Sequence, residues 1–131
     1  MDMEITFAGN KKINASFNGH IHKTDQPIPS GGENSAPSPY ELFLASIGTC
    51  AGIYVKSFCD NRNLPTGNIK LIQSIEYSSE TKLPLKISIK IQLPVGFPEK
   101  YREALVNVAE LCAVKRTIAN PPVFEIRTVT V

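Results

Sequence analysis

A chain of 131 residues, 42% hydrophobic and 20% charged, fits one globular domain of ordinary size that can bury a core. A net charge of +2 and the absence of tryptophan leave neither a basic, aromatic-laced footprint for nucleic acid nor an acidic tail. The opening MDMEITFAGNKK starts acidic and has no apolar signal core, and the run Leu42 to Val55 is broken by Ser46, Gly48, Thr49 and Gly52 and reads as too short for a bilayer, so the expectation is a cytoplasmic protein with no membrane partner.

Residues 2–25 read as two or three short strands. Ile13, Ala15 and Phe17 alternate with polar neighbours, and Asn18-Gly19 is a hairpin turn signal. The Pro-, Gly- and Ser-rich DQPIPSGGENSAPSP follows as an irregular loop, in which Gly31-Gly32 serves a positive φ rather than a phosphate cradle. Ser38, Pro39 and Glu41 then set a capping box that opens a helix running to about residues 61–63, before Pro65. That helix is apolar almost all round, which marks it as central. GNIKLIQSIEYSS and LPLKISIKIQLP read as strands. In the second, Leu85, Ile87, Ile89, Ile91 and Leu93 form the buried face of an antiparallel sheet. A second helix is predicted from near Pro98, with Leu105, Val108, Ala109 and Cys112 on one core-facing stripe. VFEIRTVTV is predicted to close the chain as a strand. The segregated order predicts an α+β fold, an antiparallel sheet with two central helices, in a single domain spanning 1–131.

Three cysteines in a cytoplasmic chain are core thiols, metal ligands or redox groups rather than a disulfide framework. Cys50 and Cys59 are nine residues apart, so helical geometry sets them back to back, and their spacing gives no metal pair. His20 and His22 are read as pointing to opposite faces of their strand, so no metal site is expected. Cys50 and Cys112 both lie on apolar helix faces, each beside small residues (Gly48, Ala51 and Gly52; Ala109 and Ala113), which would let two packed helices bring them within bridging distance. Two inert core thiols would look the same.

PSPYELFLASIGTCAGIYVKSFCDNRNLP and, some sixty residues on, ELCAVKRTI resemble the two signature segments of the OsmC/Ohr family, the osmotically inducible protein C and organic hydroperoxide resistance proteins; the GGENSAPSP loop matches as well. The resemblance spans roughly residues 20 to 131. It implies an OsmC-like, intertwined homodimer and a thiol-dependent peroxidase that needs no metal or other cofactor. Cys50 would attack an organic hydroperoxide, Cys112 would resolve the sulfenic acid as a disulfide, and an external dithiol reductant would reopen it.

A buried thiol needs stabilisation to ionise near neutral pH. In the hydroperoxide-resistance branch a loop Arg supplies it, held by a Glu directly after the helix-opening Pro. No Arg precedes Arg62 here, and Tyr40 follows Pro39, with Glu41 one place later. Arg116 matches the family's basic residue after the second cysteine. Glu41, His22 and Lys23 are further candidates for supporting the thiolate, although a capping role accounts for Glu41. Cys59 reads as a bystander and Arg62 as a helix-end cation. The alternative is a non-catalytic or weakly catalytic dimer that binds a small molecule or lipid, with Tyr40, Phe43, Tyr54 and Phe58 lining an interface pocket.

Overall fold

Alternating side chains and tight turns build the first element group. In the computed structural model, which describes residues 1–131, β1 (Glu4–Phe7), β2 (Ile13–Phe17) and β3 (His20–Thr24) form an antiparallel sheet in sequential order. Phe17 pairs with His20 across the Asn18-Gly19 turn, where both residues take positive φ (49° and 77°), the two-residue geometry whose twist suits a hairpin. The chain divides into two compact units, Met1–Ala45 and Ser46–Val131.

The loop after β3 is organised by one carboxylate. Asp25 is fully buried and accepts hydrogen bonds from the amides of Gln26 (2.8 Å), Ser35 (3.0 Å) and Glu33 (3.3 Å) and from the Ser35 hydroxyl (2.6 Å). The Ser35 hydroxyl and amide are foremost in holding its pKa down to about 2. Gly31 takes φ 86°, as expected of this loop. Gly32 is needed for a different reason: a Cβ there would lie 2.0 Å from the Gln26 carbonyl oxygen.

Helix α1 (Pro39–Asp60) starts in the first unit and ends in the second. Its predicted capping box is present, with the Glu41 amide donating to Ser38 Oγ at 3.2 Å and the Ser38 amide to Glu41 Oε2 at 2.7 Å. At 22 residues α1 is, by length and composition, long and apolar enough to cross a bilayer, which corrects the reading from the interrupted run Leu42 to Val55. Its C-terminal half is a core element instead, with Ala51, Val55, Phe58 and Cys59 buried against Leu105 and Ala109. The Arg62 guanidinium closes the helix by donating to the Phe58 carbonyl at 3.2 Å while stacking 3.7 Å above the Phe58 ring.

In the second unit β4 (Lys70–Tyr77) and β5 (Pro84–Gln92) pair as an antiparallel hairpin. Leu71, Ile89 and Ile91 pack on the buried cluster. Leu85, predicted to share that buried face, is 74% exposed, since it lies at the turn end of the hairpin beyond the cluster.

Two further predictions are corrected here. The helix expected from Pro98 through Cys112 is two helices, α2 (Arg102–Glu110) and α3 (Ala113–Ala119), after a 3-10 turn at Glu99–Tyr101. The break is at Cys112, whose backbone (φ −48°, ψ 124°) is not helical, so three helices stand where two were predicted. The closing segment is exposed and forms no strand, because no other strand lies alongside it to complete a ladder.

Candidate functional site

The break at Cys112 makes the site. Cys50 comes from the middle of α1 and Cys112 from the residue before α3, both within the second unit. Cys50 is partly exposed and Cys112 fully buried. The Cys112 sulfur lies 3.9 Å from the Ile47 carbonyl oxygen and within hydrogen-bonding reach of the Cys50 sulfur, and its single thiol hydrogen serves one or the other. Because Cys112 leaves the helical path, the first amides of α3 are turned towards Cys50. The Val114 amide is the strongest influence on Cys50, followed by the Cys112 thiol; the Ala113 amide and the Arg116 charge add to them. Together they hold the Cys50 thiol below its ordinary pKa, against burial, which pushes it up. An accessible sulfur biased towards thiolate, with a buried thiol beside it, is the arrangement that nucleophilic attack and disulfide closure require.

The predicted site residues separate into two groups. Cys50, Cys112 and Arg116 are brought together. Glu41, His22 and Lys23 belong to the first unit, each in a local setting of its own. Glu41 is engaged in the capping box with Ser38. His22 stacks on Phe17, with ring centroids 4.9 Å apart. Lys23 lines a polar cleft with Lys12 and Asn14. The expectation that His20 and His22 point to opposite faces is wrong. Residues two apart on a strand share a face, and their ring centroids are 6.3 Å apart. No third His, Cys, Asp or Glu joins them.

Cys59 is fully buried, and desolvation, aided by the nearby Asp60 charge, raises its thiol pKa. It is an inert packing residue. Sequence reasoning missed the Ala113 and Val114 amides, because nothing in ELCAVKRTI, neither Gly nor Pro, marks the helix break that exposes them. It also missed a cavity of about 280 Å³ lined by Ile47, Ile89, Val106, Ala109, Lys115 and Ile118. Of the aromatics expected to line an interface pocket, Tyr40 and Phe43 are exposed and only Phe58 is buried. Phe58 is buried edge-on to Tyr101, and Tyr40 packs on Phe43.

An α+β chain whose antiparallel strands and helices carry one paired-cysteine site defines a class of two-thiol proteins. The chain belongs to the OsmC family: the model described as OsmC-like protein matches residues 32–127. Solved structures share the fold. An osmotic stress induced and detoxification response protein from Psychrobacter arcticus 273-4 superimposes with a TM-score of 0.74 at 17% identity, over 88% of this chain and 85% of that one. A hypothetical protein from Aquifex aeolicus VF5 gives 0.64 at 18%, over 92% and 87%. An organic hydroperoxide resistance protein OsmC from Legionella pneumophila gives 0.55 at 17%, over 90% and 89%. None of the curated proteins matches the sequence.

Proposed function

We propose that the protein is a thiol-dependent peroxidase that reduces organic hydroperoxides and acts as a cytoplasmic homodimer. The observation that carries this reading is the partly exposed Cys50, held towards thiolate by the start of α3, with the buried Cys112 thiol against it. Family membership and the hydroperoxide-resistance neighbour agree with it.

The chemistry runs in two steps. The Cys50 thiolate attacks the distal oxygen of the hydroperoxide. The O–O bond breaks, the alkoxide takes a proton from solvent and leaves as the alcohol, and Cys50 becomes a sulfenic acid. Cys112 then attacks that sulfur, a disulfide forms and water leaves. An external dithiol restores both thiols by exchange. The α3 amides and Arg116 take the part that the loop Arg plays in the hydroperoxide-resistance branch.

Thiol titration before and after one equivalent of cumene hydroperoxide tests this. Cys50 and Cys112 should both be lost, as one intramolecular bridge, while Cys59 stays reactive only on unfolding. If Cys50→Ser consumes the hydroperoxide as fast as wild type, the mechanism is wrong.

The 280 Å³ cavity favours a second reading, a dimer that binds a small molecule or lipid with little or no catalysis. Native mass spectrometry of freshly purified protein separates the two. A co-purified ligand without hydroperoxide turnover supports binding, and turnover without ligand supports the peroxidase.

A further inference from the structure

The two histidines of the chain stand on one face of one strand. Residues i and i+2 of a strand point the same way, about 6.8 Å apart along it. His20 and His22 follow that rule in β3, with ring centroids 6.3 Å apart and ring planes at 54°. The His22 ring is set by its stack on Phe17, with 4.9 Å between centroids and 18° between planes. His20 follows the Asn18-Gly19 turn directly, opposite Phe17, and His22 lies opposite Ala15; both histidines are exposed. No hydrogen bond or ion pair within the protein engages either ring, so the ring nitrogens are open to a ligand. The rest of the face offers nothing to repel a cation. The register places Ile5, Phe7, Ile13, Ala15, Phe17 and Thr24 on it, and Lys23 alternates to the other face. Ile5, Ile13, Ala15 and Thr24 also line an apolar hollow with Pro39 and Leu42 from the start of α1, so helix covers that end of the face and leaves the histidine end open.

We propose that His20 and His22 form a two-imidazole chelate for a divalent transition-metal ion of the zinc, nickel or copper type, with water filling the remaining positions. Imidazole suits these ions, whereas magnesium and calcium take oxygen ligands. Metal–nitrogen bonds of about 2.0 Å at a tetrahedral angle bring two ring centroids to about 5 Å, so the pair has about 1 Å to close. His20, exposed and held by no stack, makes that movement by side-chain rotation, while Phe17 keeps His22 in place. No third His, Cys, Asp or Glu joins the pair, so the site lacks the closed four-ligand shell of a structural ion, and its ion exchanges with the solution. The chelate is independent of the peroxidase reading: the histidines belong to the first unit and the cysteine pair to the second, and binding involves no redox step.

Zinc titration of the full chain near neutral pH, followed through the imidazole nitrogen resonances by NMR, tests this. His20 and His22 are the only histidines, so these signals report the site alone, and any zinc taken by the thiols leaves them unchanged. Both rings should shift together, with one midpoint. Magnesium at the same concentration should shift neither. His20→Gln and His22→Gln should each weaken zinc binding at the remaining ring by about tenfold or more, because in the wild type the second imidazole adds as an intramolecular ligand. Separate midpoints for the two rings overturn the chelate, as do equal shifts with magnesium or a single-histidine variant that binds zinc as tightly as wild type. Wild-type rings that do not shift at millimolar zinc overturn the site itself, whatever the variants do.

Discussion

The Cys112 sulfur lies 3.9 Å from the carbonyl oxygen of Ile47, and Ile47 stands one helical turn before Cys50. The thiol proposed to resolve the sulfenic acid is thus parked on the helix that carries the proposed nucleophile. A serine at 112 keeps a donor for that carbonyl, so Cys112→Ser should fold with a stability within about 1 kcal/mol of wild type. It should consume one equivalent of cumene hydroperoxide and then stop, with a Cys50 sulfenic acid that dimedone traps and mass spectrometry detects. Sustained turnover at the wild-type rate with a dithiol reductant would show that Cys112 has no resolving role.

The lowered pKa of Cys50 sets the pH profile. The thiolate is the reactive form, so second-order consumption of hydroperoxide should rise with pH, with its midpoint below that of an unperturbed cysteine thiol. The groups that face Cys50 are the Val114 amide, the Cys112 thiol, the Ala113 amide and Arg116. Arg116→Gln should move the midpoint upward, yet most of the depression should survive, because the Val114 amide and the Cys112 thiol contribute more. Stopped-flow rates across pH 5 to 10 check both points. A midpoint at or above the free-thiol value in wild type would remove the activation described here.

The sequence made the elements with local signals legible and hid those that depend on company. Asn18-Gly19, the Ser38–Glu41 capping box and the alternation of Ile87, Ile89 and Ile91 each announce themselves within a few residues, and each is where it was expected. The paired cysteines were legible through their flanks. The activating groups were not, since they are main-chain amides, which no side-chain pattern records, made available by a helix break at Cys112. Leu85 and the closing segment alternate like buried strand residues, but alternation reports a face and says nothing of whether anything covers it. His20 and His22 were misplaced by a plain slip in strand periodicity.

Asp25 ties the loop before α1 together, and its charge is part of the tie. Its folded pKa of about 2 lies below the ordinary carboxylate value of about 3.9, so the stabilisation it brings is complete above the unfolded value and is lost as pH falls through the folded one. Acid unfolding of the wild type should therefore show a stability slope between these two pH values. In Asp25→Asn that part of the slope should vanish. Its melting temperature at pH 7 should fall, because an amide cannot accept from four donors as a carboxylate does. Thermal melts from pH 2 to 7 by circular dichroism test this; parallel curves for the two proteins would rule it out.

Two glycines flank Cys50 in α1, and they should respond unequally to alanine. At Gly52 nothing lies within 4 Å of an added Cβ, so Gly52→Ala should gain the helix propensity of about 1 kcal/mol and raise the melting temperature. At Gly48 the added Cβ would lie 2.8 Å from Gln73 Oε1, the far end of a flexible side chain that must shift to admit it. That rearrangement offsets part of the propensity gain, so Gly48→Ala should raise the melting temperature less than Gly52→Ala. Matched melts of the two variants decide this, and a gain at Gly48 as large as that at Gly52 would refute the packing of Gln73 against Gly48.

The proposed homodimer makes a prediction of its own about the closing segment. Phe124 and Ile126 are 83% and 97% exposed, and the segment around them alternates like a strand without a partner. On α1, Ile53 is also exposed, at 57%. Apolar side chains left in water at this density are better covered by a second copy, and a segment with unpaired amides gains a ladder by pairing with another chain's sheet edge. Size-exclusion chromatography with light scattering should therefore give twice the 14.4 kDa chain mass. Phe124→Asp and Ile126→Asp should each shift that mass towards the monomer at low micromolar concentration, by placing a charge where the partner's apolar surface would lie. Tyr77→Glu serves as a control on another exposed aromatic, outside the closing segment. A wild-type mass near 14.4 kDa would refute the dimer, and an unshifted dimer in both Asp variants would refute the role of the segment in forming it.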